Sequence, residues 1–468
     1  MGLFIRKPFE ALQAEANASG KKTLKRVLGP WSLVALGVGV IIGAGLFSIT
    51  GTVAAGYTGP AITLSFAIAA LGCCFAGLCY AEFASMIPVA GSAYTYSYAT
   101  MGELIAWIIG WDLVLEYTVA ATTVSISWSR YLVVFLEGLD IHLPQVLTAC
   151  PWDGGVVNIP AFLGFDAVST AAQETKNPKR NMPIGILVSL LVCTVLYMVF
   201  AHVMTGVAHY TAFSGQQGIA PVAIAIEHMG QADAAGIIQP DYPWLNRAIV
   251  LSILFGYCSV IMVTLLGQSR VFLSMSHDGL LPPFFSHINE KFRTPARSNL
   301  LFMVLVGLLA AFVPARLAGE MTSIGTLMAF TLVCAAVLVV RRTMPDVPRS
   351  FKTPLVPLIP ILGILTCLCM MLFLPADTWI RLVLWMLIGL DIYVGYGMKH
   401  SKLEHGGATR HGQVTLNMIG LILAVLCVIT GLWHQQTVGW GESKVLLIIS
   451  FVFAFTHCAY YMWRIWRR

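Results

Sequence analysis

The sequence predicts an all-α membrane protein that crosses the bilayer many times. Three observations carry the prediction. The 468 residues are 57% hydrophobic and 11% charged, with a mean hydropathy of +0.79, whereas soluble chains carry about 25% charged residues. Apolar runs of about 20 residues, the length a helix needs to cross ~30 Å of hydrocarbon, recur along almost the whole chain. Lys and Arg gather in short blocks between these runs, as the positive-inside rule places them. The net charge of +6 therefore reports topology, and no nucleic-acid partner is expected.

Taken in order, residues 1–28 form a basic, amphipathic, cytosolic leader. Its MGLFIRKPFE start runs into polar sequence, so no cleavable signal peptide is expected. Apolar runs follow at roughly 31–57, 60–88, 103–137, 184–207, 245–275, 299–319, 324–341, 357–375, 378–398, 414–434 and 443–464. The basic blocks are Lys21 to Arg26, Lys176 to Arg180, Lys291 to Arg297, Arg341 to Lys352, the 399–411 loop and the tail Arg464, Arg467 and Arg468. All six can be cytosolic only if the chain crosses once more before Lys176. The one stretch available is 156–172, a poor span containing Pro160, Gly164 and Asp166. The reading is about twelve membrane-embedded helical elements, one of them short, in an integral protein of the cell or inner membrane with both termini cytosolic. The rival is a re-entrant or surface segment at 156–172 with the downstream half inverted.

The run Leu36 to Phe47, LGVGVIIGAGLF, is unlike the other spans. Gly37, Gly39, Gly43 and Gly45 fall within nine positions. Glycine costs roughly 1 kcal/mol per residue against alanine inside a helix, so this span opens in its middle. Bare backbone groups at membrane depth are tolerated only where they line a protein cavity, which suits a small zwitterion. Gly39 and Gly43 also fit a GxxxG face for close helix packing.

Several blocks together carry a resemblance. They are the glycine run; Tyr80-Ala-Glu82 with Pro88 and Gly91-Ser-Ala-Tyr-Thr-Tyr96; Gly110-Trp-Asp-Leu-Val-Leu-Glu-Tyr117; Gly164-Phe-Asp-Ala-Val-Ser169 with Asn177-Pro-Lys-Arg-Asn-Met-Pro-Ile-Gly185; Ser276-His-Asp-Gly-Leu-Leu-Pro282; and Arg349-Ser-Phe-Lys-Thr-Pro354. In this order they resemble the cationic amino acid transporter branch of the amino acid–polyamine–organocation (APC) superfamily. The resemblance implies a LeuT-like inverted-repeat transporter fold, two five-helix repeats with the first and sixth helices broken, followed by accessory helices. It implies a secondary permease for L-amino acids, cationic ones among them, coupled to protons. Residues 29–345 would be the transporter core and 346–468 the accessory helices. The partners implied are an amino acid, the lipid bilayer, a coupling proton, and a small membrane subunit or a second copy of the chain.

The chain departs from that pattern between the third span and Gly164. Only about twenty residues stand where the family has its fourth and fifth helices and the first half of its sixth. The first repeat is incomplete, and the fifth-helix lysine proposed to carry the coupling proton in relatives has no counterpart. Loss of two complete crossings keeps the parity of the topology. A second function class follows from the gap: a transport-incompetent relative acting as a binding or assembly subunit.

The site implied is made mainly of backbone. Amides of Gly43, Ala44 and Gly45 would meet the substrate carboxylate, and carbonyls near Ile41 and in Ala161, Phe162, Leu163 and Gly164 would take its ammonium. By resemblance the wall includes Phe165 and Thr264, where the competing reading of Thr264 is a bond to its own helix. Membrane-embedded acids are functional candidates because a charge at the bilayer centre costs at least about 2.5 kcal/mol. Glu116 and Asp112 are four apart and share a helix face, which makes Glu116 a candidate for ammonium attraction or proton exchange, with a structural hydrogen bond as the rival. Glu82, beside Tyr80, reads as a gate or packing residue, and Asp166 as a holder of the sixth helix. Asp391, His202 and His457 read as paired or interfacial, and Tyr460, Tyr461, Trp463 and Trp466 as an interfacial belt.

Enzyme chemistry finds no footing. HExxH, GxSxG and GxxxxGK are missing, and GVGVIIGAG has the wrong spacing for a dinucleotide turn. Cys73, Cys74, Cys193, Cys334 and Cys427 lie in apolar runs as small hydrophobes. Cys367 and Cys369 form a CxC inside a span. No metal, cofactor or disulfide is expected.

Overall fold

The computed structural model describes residues 2–8, 26–87, 92–164, 174–175, 178–214, 220–232, 238–240, 243–289, 294–403, 410–438 and 440–466. Each apolar run is helical. The first splits into α1 (Pro30–Ile41) and α2 (residues 45–58), the latter π-wound at both ends. Then come α3 (Ile62–Met86), a short α4 (Ser92–Thr100), α5 (Glu103–Glu137), α6 (Ile159–Gly164), α7 (Pro178–Val207) and α8 (Pro243–His277). Six more follow: α9 (Ala296–Phe312), α10 (Ala315–Thr343), α11 (Leu358–Leu372), α12 (Ala376–Ile392), α13 (Arg410–Val438) and α14 (Trp440–Trp466). Two short two-stranded ladders, one joining Arg26–Leu28 to Glu174–Thr175, lie outside the spans.

One expectation is corrected. The break expected near residues 319–324 falls instead at Val313–Pro314. Val313 is extended at φ −99° and ψ 136° because a residue before proline is driven out of the helical region, and Pro314 opens α10 without an N–H to lose. The element expected over 156–172 is helical, among the described residues, only over the six residues of α6. Phe165 and Asp166 lie outside the described residues, as do Lys176 and residues 9–25 of the leader. The chain still changes ends there. Asn158 N donates to Ala311 O where α9 finishes, while Glu174 pairs with Arg26 beside the start of α1.

The helix ends that meet the basic loops converge at one end of the bundle, and the sequence blocks meet each other there. Glu82, fully buried, accepts from Arg341 Nη2 at 2.9 Å and from Thr353 N at 2.8 Å. Arg349 Nε lies 3.1 Å from its other oxygen as an ion pair without hydrogen-bond geometry. Glu103 accepts from Tyr98 Oη (2.7 Å), Tyr393 Oη (2.8 Å) and Ser401 Oγ (2.5 Å). Asp278 takes Lys7 Nζ at 2.7 Å and Tyr94 Oη at 2.8 Å, which docks the first residues of the leader. Deeper in, Trp111 and Trp385 stack at 4.5 Å and each indole donates to the other's carbonyl, locking α5 to α12. A Cβ at Gly389 would lie 2.3 Å from Trp111 Cδ1, so only glycine admits that ring.

Glu82→Gln should expose the cost of this clamp. It leaves Arg349, with a side chain only 3% exposed, facing a neutral amide, and breaking a buried pair costs about 3–5 kcal/mol. The expected outcome is a clearly lowered unfolding midpoint in detergent, measured by tryptophan fluorescence. An unchanged midpoint would mean that the cluster carries no net stabilisation.

Candidate substrate site

The break is local and well defined. Ile42 N still donates to Val38 O at 2.9 Å, but Ile42 itself turns to ψ 75° and Gly43 N reaches back only to Ile41 O, also at 2.9 Å. Helical winding resumes with Leu46 N and Phe47 N, both donating to Gly43 O at 3.2 Å. The first N–H groups of a helix have no partner within it, so the amides of Ala44 and Gly45 open the second segment. Two tyrosines hold the break from neighbouring helices. Tyr197 Oη of α7 donates to Ile41 O at 2.7 Å, and Tyr131 Oη of α5 donates to Phe47 O at 2.5 Å. The carbonyl of Ile41, expected to be free for an ammonium, therefore already accepts twice.

The glycines act through close approach. A Cβ on Gly43 would stand 3.3 Å from Val260 Cγ1 of α8, and one on Gly45 would stand 2.9 Å from Tyr197 Oη. Gly37 is the tight helix contact, at 2.8 Å from Ser189 of α7, whereas Gly39 has nothing within 4 Å. The packing seam thus runs through Gly37 and Gly43, not Gly39 and Gly43. Around Ala44 lie Ala121, Val124, Tyr131, Tyr257, Val260 and Ile261, with Phe47 against them.

The other expected residues fall into separate places. Thr264 is buried and donates to Val260 O at 2.8 Å, the intrahelical bond of its competing reading. Ala161 packs with Ile126, Ala310 and Ala315, and Phe162 covers Gly307 of α9, so these two residues sit in another cluster from the break. Asn158 caps α6 by accepting from Ala161 N at 3.0 Å and from Ser129 Oγ at 2.6 Å. Of Leu163 and Gly164 only the backbone, the end of α6, is described. Glu116 lies little more than one turn along α5 from Ala121, with its Cβ 3.5 Å from where a Cβ on Gly325 of α10 would stand. Asp391 is paired as expected, with His457 Nε2 at 2.8 Å and Tyr461 Oη at 2.6 Å. Tyr461 is consequently fully buried, which corrects its place in an interfacial belt. His202 is exposed on α7.

Sequence reasoning missed Tyr131, Tyr197 and Tyr257. The available signal was a phenol in the middle of an apolar run, where a hydroxyl has to find its partner inside the protein.

A polytopic helical bundle with a span interrupted between packed helices is the architecture of a secondary transporter. The chain belongs to the amino acid permease family: the family model described as "Amino acid permease" matches residues 28–152 and 143–391. It is 41% identical to the branched-chain amino acid permease BcaP of Bacillus subtilis, across 83% of this chain and 97% of that protein. It is 36% identical to the methylthioribose transporter of the same organism (86% and 99%). It is 32% identical to the vacuolar cationic amino acid transporter 4 of Arabidopsis thaliana (71% and 66%). The family transports and does not catalyse.

If the break depends on Tyr197, Gly45→Ala should displace its hydroxyl from Ile41 O and lower amino acid counterflow about tenfold, the loss of roughly one buried hydrogen bond. Tyr197→Phe should produce a similar loss. Rates measured at matched reconstitution check both, and wild-type rates would separate the break from transport.

Proposed function

We propose that this protein is a secondary permease for neutral L-amino acids with branched or other apolar side chains, driven by the proton gradient. One observation carries the substrate choice: Ala44, at the start of the second segment, belongs to a buried cluster with the aliphatic and aromatic side chains Val260, Ile261 and Tyr257. The relative named for branched-chain amino acids supports the same choice. In this reading the amides of Ala44 and Gly45 hold the carboxylate. The ammonium competes with Tyr197 for Ile41 O, and Val260, Tyr257 and Thr264 shape the side-chain pocket. The basic end of the bundle faces the cytosol.

The short first repeat is part of the proposal. The alignment to the branched-chain permease runs over 463 residues yet uses 83% of this chain, which supports internal sequence in the relative that this chain does without. That gap keeps the second reading, a binding or assembly subunit, worth testing in the same experiment.

Purified protein in proteoliposomes should take up labelled leucine, isoleucine and valine. Uptake should be competed by each of the three and not by arginine or lysine, and methylthioribose serves as a further competitor. Saturable binding without uptake would favour the assembly reading. Preferential uptake of arginine would overturn the neutral pocket.

A further inference from the structure

We propose that Asp112 is a proton-binding site, carrying a proton when α10 is closed on α5 and releasing it when α10 moves away. The inference rests on the permease reading for its use in transport, but the protonation itself can be measured without transport. Asp112 is fully buried, and neither Oδ1 nor Oδ2 finds a hydrogen-bond partner among the described residues. Glu116, one turn on, shares its face of α5. A Cβ placed on Gly325 of α10 would lie 3.4 Å from Asp112 Oδ1 and 3.5 Å from Glu116 Cβ, so α10 lies directly over the Asp112 carboxyl and the base of the Glu116 side chain. Two carboxylates one turn apart and out of water cannot both be ionised. The two acids are not equivalent. Glu116 is only partly buried, whereas Asp112 is fully buried and has no donor. The proton therefore belongs on Asp112.

The surrounding groups do not supply a compensating charge. The group that acts on Asp112 is Glu116, whose own neighbours include the neutral phenols of Tyr80 of α3 and Tyr117 of α5. Arg270 of α8 acts on the Tyr117 hydroxyl. No cluster of three metal-binding side chains exists among the described residues. A proton is the cation that such a site can hold, and its way out is the α5–α10 contact, where glycine at 325 keeps the seal free of any side chain. This gives the chain a titratable group in its core without the family's fifth-helix lysine.

Infrared difference spectroscopy of the purified protein near neutral pH should show the C=O stretch of a buried protonated carboxylic acid. The band should vanish in Asp112→Asn and persist in Glu116→Gln. Incorporating aspartate with a carbon-13 carboxyl into the unmodified chain should shift it, which decides the matter even if the variants fail to fold. A band that survives Asp112→Asn, or that ignores the label, overturns the proposal. In proteoliposomes, Asp112→Asn should keep leucine counterflow while accumulation driven by an imposed pH gradient falls to that of empty vesicles. Undiminished accumulation also overturns it. Loss of all transport by the unmodified protein would instead defeat the permease reading and leave the infrared result to stand alone.

Discussion

Inside a membrane bundle a polar group must find its partner within the protein, because lipid offers none. This constraint bears hardest on α5, which is buried along most of its length and yet rich in Ser, Thr and acid side chains. Thr118, Thr122, Thr123, Ser125 and Ser127 each turn back onto the carbonyl four residues earlier, so α5 satisfies most of its own hydroxyls. Those it cannot satisfy reach outward. Ser129 meets the cap of α6, Tyr131 meets the second half of the broken span, and Thr118 takes an amide proton from Gln268 of α8. Three functional districts are thus strung along one helix: the acid pair, the break and α6.

The residue blocks that suggested the family owe their pattern to the same constraint. Tyr80-Ala-Glu82 and Arg349 to Pro354 are far apart in sequence, and in space one block is the counter-charge of the other. The aspartate at 278 binds a leader lysine and a tyrosine from the 91–96 block. Glu82 and Asp278 each lie in one block and find a partner in another. Such partners have value only together, since either one buried alone would cost several kcal/mol.

This also explains what the sequence disclosed and what it hid. Periodicity and length disclosed the spans, and four glycines disclosed the opening in the first, because those signals are local. The place of the turn at Pro314 was equally local and was obscured only by the apolar residues on either side of it. Tyr197 on Ile41 O was hidden because a backbone carbonyl 156 positions away leaves no mark in composition. Tyr461 read as interfacial by its neighbours Tyr460 and Trp463, and only the placement of Asp391 on α12 shows why it turns inward. The described part of α6 sits apart from the break because its cap at Asn158 ties it to α5 and to the end of α9.

The distribution of interaction strength identifies which part of the bundle is free to move. At the basic end, α3, α5, α8, α10 and α12 are joined by buried carboxylates with two or three donors each, and charge-assisted bonds of this kind are roughly twice as strong as neutral ones. The segment around Gly43 is held to its neighbours by neutral tyrosine hydroxyls, each worth about 0.5–1.5 kcal/mol net, and by glycine contacts that add no interlocking side chains. An amino acid that brings its own ammonium and carboxylate can replace such bonds at little cost. It cannot replace the carboxylate clusters. The frame is therefore the set of helices that the sequence blocks tie together, and in the proposed reading the broken span is the element a bound substrate displaces.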